Sequence, residues 1–261
     1  MTLIPSGVLR VVHRPSLAIL AAAALFAGCG TKDAADPLIS GPQGRVRLVS
    51  LITDTTRGRV NATLEGKPFG VNLTYGGTTP SSLPSPANAI YSAILTGART
   101  LVLKRTADTT AVVATIPLNI ATGADYTVYA TGGASASAIV PVITTDTNTA
   151  PALGAARVRI VHQANGAGAV DVFVTAVGAD LALATPSLAN VALRGAAYLA
   201  SPAGTYQVRA VPAGTAPALR AANVTVNLAS IAIPANGART IVAAESTTGG
   251  APYRFITYID R

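Results

Sequence analysis

The chain has 261 residues, of which half are hydrophobic, 11% are charged and 5% are aromatic, with no Trp. This length allows one large domain or two of ordinary size, and the scarcity of large aromatics argues against an aromatic-lined ligand pocket. The net charge of +8 suits contact with an anionic envelope or polysaccharide, and it equally suits solubility alone.

The first element in chain order is a basic and then apolar segment that ends at the single cysteine. Arg10 and Arg14 precede an apolar run over 17–28, and Cys29 follows. Twelve residues are short for a membrane-spanning helix, which needs about 20, but they match the apolar region of a signal peptide. The predicted signal peptide covers residues 1–28, and its removal leaves 17 basic and 11 acidic residues, a net charge of +6.

The residues around the cysteine resemble the lipobox of bacterial lipoproteins. Ala27 and Gly28 precede Cys29, and in the lipobox such a cysteine receives a diacylglyceryl group and becomes the new N-terminus. Phe26 departs from this pattern, because Leu is usual there. The alternative is an ordinary signal peptide cleaved near Ala27, with Cys29 buried. A lone cysteine has no partner for an intrachain disulfide, so we expect lipidation.

Residues 29–43 are small and polar with two prolines, a composition typical of a flexible tether. By resemblance to lipoprotein sorting in Gram-negative bacteria, Gly30 after the cysteine favours the outer membrane over the inner membrane. The sequence therefore predicts a lipid-anchored protein of the cell envelope, facing the periplasm or the cell surface.

An internal repeat dominates the remainder of the chain. Arg45-Val-Arg-Leu-Val49 returns as Arg157-Val-Arg-Ile-Val161, at an offset of 157 − 45 = 112 residues. Two further matches occur in the same order, between 124–130 and 237–243 and between 142–146 and 255–259. A period of this length indicates two full domains and not a solenoid of short units. We therefore expect domain 1 over 44–146, a linker over 147–155 and domain 2 over 156–261.

Each copy shows the two-residue period of β-strands. Val46 and Leu48 share one face of the first strand while Arg45 and Arg47 share the other. In 169–175, Val170, Val172 and Val174 are predicted to point inward, and Asp171 and Phe173 to the opposite side. Turn signals separate some seven short strands per copy, without a convincing amphipathic helix. The predicted fold class is all-β, with two tandem antiparallel β-sandwich domains of immunoglobulin-like type.

Three segments of the second copy carry a family resemblance. Segments 156–162 (ARVRIVH), 169–174 (AVDVFV) and 202–209 (PAGTYQVR) resemble the bacterial domain-of-unknown-function family 4397. The first copy is more divergent, with Ser50 where the second has His162. The resemblance implies exported or surface-attached sandwich domains, often in tandem and often on lipoproteins, and it implies no activity.

Catalytic chemistry has few candidates in this sequence. The mature chain retains only His162, which lacks a nucleophile-elbow pattern and is expected to be a hydrogen-bonded residue at a strand end. Asp146 and Asn148 could supply oxygens to a cation, but solvation in the linker is the favoured interpretation. The nine Asp and two Glu are dispersed, so a glycosidase pair could arise only through folding. No catalytic residue, metal site or cofactor is predicted.

Arginines provide the one candidate binding feature. Arg45, Arg47, Arg157 and Arg159 are candidate anion-binding residues, since a guanidinium matches carboxylate, sulfate and phosphate groups. The alternative is a solvent-facing strand whose charges discourage edge pairing or meet a neighbour such as Asp171. No nucleic-acid partner is expected.

The expected function is that of a lipid-anchored envelope protein of non-enzymatic binding, adhesion or structural type. Its expected partners are the membrane, through the lipid, and an envelope polysaccharide or another envelope protein. The alternative function is a carbohydrate-binding module or a hydrolase of the envelope.

Overall fold

Alternating apolar and polar residues form short β-strands throughout the part of the chain that the structure describes. A computed structural model describes residues 41–53, 58–79, 87–88, 90–133 and 138–261. The predicted signal peptide, Cys29 and the tether up to residue 40 lie outside these residues. Within the described ranges, no helix is long and apolar enough to cross a membrane.

The first half of the described chain contains nine strands. They are β1 Gln43–Ile52, β2 Val60–Leu64, β3 Lys67–Leu73, β4 Ala87–Asn88, β5 Ser92–Leu95, β6 Gly97–Arg105, β7 Val112–Ile120, β8 Asp125–Gly132 and β9 Ile139–Asp146. The turn between β2 and β3 places Glu65 at φ 49° and Gly66 at φ 72°. Positive φ at both central residues is the geometry of the tight hairpin turn that matches strand twist.

The second half contains eight strands and two single-turn 3-10 helices. The strands are β10 Ala155–Gln163, β11 Val170–Thr175, β12 Leu188–Val191, β13 Ala196–Pro202, β14 Gly204–Pro212, β15 Val226–Ile233, β16 Ala238–Ala244 and β17 Arg254–Ile259. The 3-10 turns, Pro217–Leu219 and Ala221–Asn223, lie between β14 and β15.

The strands form four sheets that give each half the same layout. Sheet A has the order β5-β1-β8-β9 and sheet B the order β3-β2-β6-β7. Sheet C has the order β13-β10-β16-β17-β4 and sheet D the order β12-β11-β14-β15. Apart from β4, each strand of the first half has a counterpart in the second. The prediction of an all-β protein with two sandwiches is confirmed.

One strand pair in each half differs from the antiparallel arrangement that the sequence predicted. Strand β1 runs parallel to β8, and β10 runs parallel to β16. Alternating burial determines which residues share a face, but it carries no information about strand direction. Parallel neighbours need a long crossover connection, and here the strands of sheets B and D lie in that connection.

Each sandwich has its own apolar core. Val46 and Leu48 of β1 are buried in the first core, and Val158 and Ile160 of β10 are buried in the second. This confirms the predicted inward face of both strands. Full burial of a side chain such as Leu48 contributes about 1.5–3 kcal/mol relative to exposure.

A third cluster joins the outer faces of sheets A and C. It combines Val49 and Tyr129 from the first half with Val161, Val242 and Tyr258 from the second. The two sandwiches therefore pack back to back within one compact unit, 41–261. Strand β4 of the first half reinforces this contact by pairing with β17 at the edge of sheet C.

Sheet D buries apolar side chains on both of its faces. Val170 and Val172 are buried in the second core, as predicted. Phe173 points to the opposite side but is fully buried against Leu181 and Val211. The segments that follow β11 and β14 cover this outer face.

Candidate functional site

The inner arginines of the repeat occupy equivalent positions between the two sandwiches. Arg47 in β1 is paired with Thr127 of β8, and Arg159 in β10 is paired with Thr240 of β16. Only 1% of Arg47 and 3% of Arg159 is exposed. The alternative prediction that the arginines face solvent was wrong for these two residues, because the partner sheet covers the outer face of each first strand.

Asp146, at the end of β9, is the carboxylate around which this cluster is organised. Arg159 lies 2.5 Å from its Oδ1 and Arg47 lies 3.9 Å from its Oδ2. The Tyr91 hydroxyl donates to Oδ2 at 2.6 Å, the Thr144 hydroxyl donates to Oδ1 at 2.9 Å, and the Thr127 hydroxyl also donates to Oδ2. The side chain is fully buried, so the prediction that Asp146 is solvated in the linker was wrong.

Asp260, just after β17, completes the cluster from the second half. Arg47 Nη1 donates to Asp260 Oδ1 at 2.6 Å, and the Thr240 hydroxyl donates to Oδ2 at 2.6 Å. Each inner arginine therefore binds a carboxylate of the other half, Arg47 with Asp260 and Arg159 with Asp146. These crossed ion pairs connect the two sandwiches.

Electrostatics in this cluster follow from burial and from the crossed pairs. Burial opposes the charge of Arg47, but attraction to Asp260 and Asp146 raises its pKa above the usual value. Burial raises the pKa of the Tyr129 hydroxyl to about 12, and this hydroxyl has no hydrogen-bond partner among the described residues. A buried ion pair often adds little net stability, but removal of one partner is costly.

The outer arginines lie at the edge of the same interface. Arg45 donates to both oxygens of Asp125, each at 2.6 Å, and its side chain is 54% exposed. Arg157 donates from Nη1 to the Thr149 hydroxyl at 2.9 Å and from Nη2 to the Thr147 carbonyl. Both arginines line a cavity of about 90 Å³, together with Tyr91, Asn148, Thr149, Ala238, Asp260 and Arg261.

The pKa of Asp125 reflects its contact with Arg45. Burial raises this pKa, but the hydrogen bonds from Arg45 and Asn148 outweigh that effect and hold it below the usual range. Asn148 was considered with Asp146 as a cation ligand, but its amide donates to Asp125 at 2.6 Å. Among the described residues, no group of three or more His, Cys, Asp or Glu side chains could hold a metal ion.

A tyrosine lies beside each arginine pair. The guanidiniums of Arg45 and Arg47 lie 5.7 and 4.5 Å from the centroid of the Tyr91 ring. Those of Arg157 and Arg159 lie 5.0 and 5.5 Å from the Tyr198 ring. The two arginines of each strand therefore share one face, as predicted.

Sequence reasoning missed Tyr91, and it missed Asp146 and Asp260 as partners of the inner arginines. The repeat alignment placed Asp146 opposite Ile259, whereas strand pairing relates Asp146 to Asp260. Thr127 and Thr240 are equivalent, and they pair with Thr144 and Tyr258. Asp146 and Asp260 each lie two positions after that partner, so they are equivalent as well. An offset of 114 residues would have revealed an aspartate at the end of both halves.

His162 is buried at the end of β10. Its Nε2–H donates to the Gly168 carbonyl at 2.6 Å, and its Nδ1 accepts from the Ala164 amide at 3.4 Å. Burial lowers its pKa, which favours the neutral ring. The prediction of a hydrogen-bonded histidine at a strand end is confirmed.

One family model matches part of the chain. Residues 44–173 match the family model of a domain of unknown function (DUF4397). The matched segment covers the first sandwich, the linker, β10 and the first four residues of β11. It contains Asp146 and the four arginines of the repeat. No curated protein matches the chain.

Proposed function

We propose that the protein is a lipid-anchored cell-envelope protein that works by binding, adhesion or spacing and not by catalysis. The crossed ion pairs are the observation that carries this proposal. Arg47–Asp260 and Arg159–Asp146 tie the two sandwiches into one unit, which suits a body that presents a surface. The second half serves as a further copy of the domain that the family model matches in the first.

The chemistry of the described residues favours binding over catalysis. His162 uses both ring nitrogens on the backbone. Asp146 and Asp260 are brought together by folding, as a glycosidase pair would require. However, Asp146 is fully buried and bound by Arg159, and Asp260 is bound by Arg47. Both carboxylates are therefore already engaged by arginines of the opposite half.

The proposed location follows from the segment before the sandwiches. Cys29 carries the lipid, residues 29–43 form the tether, and Gly30 directs the protein to the outer membrane. Partners are then the membrane itself and a polysaccharide or another protein of the envelope. A carbohydrate-binding module is the second candidate function, and the cavity at Arg45 and Arg157 favours it.

The anchor is tested by Cys29→Ser, followed by separation of membrane and soluble fractions. We expect the wild type in the membrane fraction with a diacylglyceryl mass increment on its first peptide. The variant should move to the soluble fraction without that increment, while Ser40→Ala in the tether should behave as wild type. A Cys29→Ser protein that stays with the membrane would contradict the lipid anchor.

A further inference from the structure

The cavity at the outer arginines has an unbalanced positive wall. In the first half, Arg45 is opposite Asp125 in the strand pairing and is neutralised by it. The equivalent position opposite Arg157 is Ala238. Arg157 therefore has no carboxylate partner within the described residues, and its donors go to a hydroxyl and a carbonyl.

Arg261 adds a second uncompensated charge to the same wall. Its side chain is exposed and has no hydrogen-bond or ion-pair partner among the described residues, although its backbone binds Ala238. The arginines that line the cavity are Arg45, Arg157 and Arg261. Asp125 binds Arg45, and the lining Asp260 is bound by the buried Arg47, so Arg157 and Arg261 are the lining arginines without a carboxylate partner among the described residues.

The remaining lining offers neutral hydrogen-bonding groups. The Thr149 hydroxyl accepts from Arg157, so its own proton is free to be donated. The amide nitrogen of Asn148 binds Asp125, which leaves its carbonyl oxygen as an acceptor in the wall. A ligand that combines an anionic group with hydroxyls fits this mixture of donors and acceptors.

Size and charge restrict the anion further. A cavity of about 90 Å³ holds roughly six to nine water positions, which is enough for a carboxylate and the atoms next to it. Asp260 in the same wall repels a doubly charged phosphate more strongly than a single carboxylate. A guanidinium binds a carboxylate through two parallel hydrogen bonds.

We propose that this cavity binds the carboxylate end of a uronic acid residue, with the remainder of the sugar or chain outside. The proposal deepens the binding role inferred above and rests on it for its envelope context. Arg157 and Arg261 bind the carboxylate, while Asn148 and Thr149 bind an adjacent hydroxyl. Arg45 is held by Asp125 and does not bind the ligand carboxylate in this arrangement.

The test is titration of the full chain, purified in detergent, with galacturonate and with galactose, followed by calorimetry or NMR. We expect saturable binding of galacturonate that weakens with added salt, and at least tenfold weaker binding of galactose. Sulfate and phosphate serve as competitors, and both should displace galacturonate less well than glucuronate does.

Three variants localise the site. Arg157→Ala and Arg261→Ala should each weaken galacturonate binding about tenfold, since a charge-assisted hydrogen bond is lost. Arg59→Ala removes an exposed arginine away from the cavity and should leave binding unchanged. Arg261→Ala is decisive if Arg157→Ala disturbs the linker, because the Arg261 side chain has no partner to lose in the part of the chain that the structure describes.

Absence of galacturonate binding, equal binding of galactose, or an equal loss in Arg59→Ala would overturn the proposal. Displacement by phosphate as readily as by glucuronate would overturn the assignment to a uronate. None of these outcomes depends on the membrane fraction in which the protein is found. Failure of the uronate site is therefore distinguishable from failure of the lipid anchor.

Discussion

Arg45 in the first sandwich and Arg157 in the second occupy equivalent positions on equivalent strands, but their guanidiniums have different partners. Arg45 faces Asp125 across the parallel pair, whereas Arg157 faces Ala238. The first arginine is neutralised inside its own sandwich, and the second reaches the linker instead. One substitution between the two halves thus replaces a local ion pair with an arginine that has no carboxylate partner among the described residues.

The acids of the two halves also differ, in burial and in their arginine partners. Asp146 is fully buried and lies near both inner arginines, whereas the Asp260 side chain is 12% exposed and forms its ion pair with Arg47. A repeated strand pattern therefore supports an asymmetric ionic cluster. The first half supplies the acid at its centre, and the second supplies the acid at its rim.

Asp146→Ala tests this asymmetry with the largest expected effect. The change leaves the buried Arg159 without its acid, and an uncompensated buried charge costs about 3–5 kcal/mol. Asp260→Ala is the matched control and should cost less, because Arg47 still has Asp146 at 3.9 Å. Urea unfolding at neutral pH measures both, and equal losses would contradict the asymmetric cluster.

Two buried tyrosines at the interface provide the next comparison. The Tyr258 hydroxyl donates to the Gly76 carbonyl at 2.9 Å, whereas the Tyr129 hydroxyl has no hydrogen-bond partner in the described ranges of the chain. Tyr258→Phe should reduce the free energy of unfolding by about 1 kcal/mol. Tyr129→Phe should leave it unchanged or raise it, because an unpaired hydroxyl no longer has to be buried. The opposite order in thermal or urea unfolding would disprove these assignments.

His162 of the second half and Ser50 of the first occupy equivalent positions. Only His162 should make stability depend on pH at this position. Because burial lowers the pKa of His162, the unfolded chain binds its proton first, near pH 6.5. The contribution of the neutral ring is complete above that pH and falls as the pH drops toward the lower folded value. His162→Gln should flatten the stability profile below about pH 6.5, and an unchanged slope would exclude His162 as its source.

Asp125→Ala gives the smallest expected change in stability. Arg45 is more than half exposed, and an ion pair of this kind contributes about 0–1 kcal/mol. The variant makes the first half resemble the second, since Ala then faces both outer arginines. Galacturonate binding should tighten because Arg45 becomes available to the ligand, and weaker binding would show that Asp125 serves the site.

Sequence patterns were sufficient to predict that the protein is built of short strands and that the two arginines of each first strand share one face. The alternation in Arg45-Val-Arg-Leu indicated the inward face of β1 correctly, since both apolar residues are buried in the first core. The same pattern could not reveal Asp146 and Asp260 as partners of the inner arginines. These ion pairs span 13 residues in one case and 213 in the other, with no local signal.

The sequence by itself determined two β-rich halves, their turns and the side of each first strand that enters a core. Only the tertiary structure decided that the outer faces of sheets A and C cover each other. A two-residue period indicates which side chains share a face, but the environment of that face depends on contacts between distant parts of the chain. Burial of Arg47 and Arg159, and the cavity left beside Arg157, both follow from that packing.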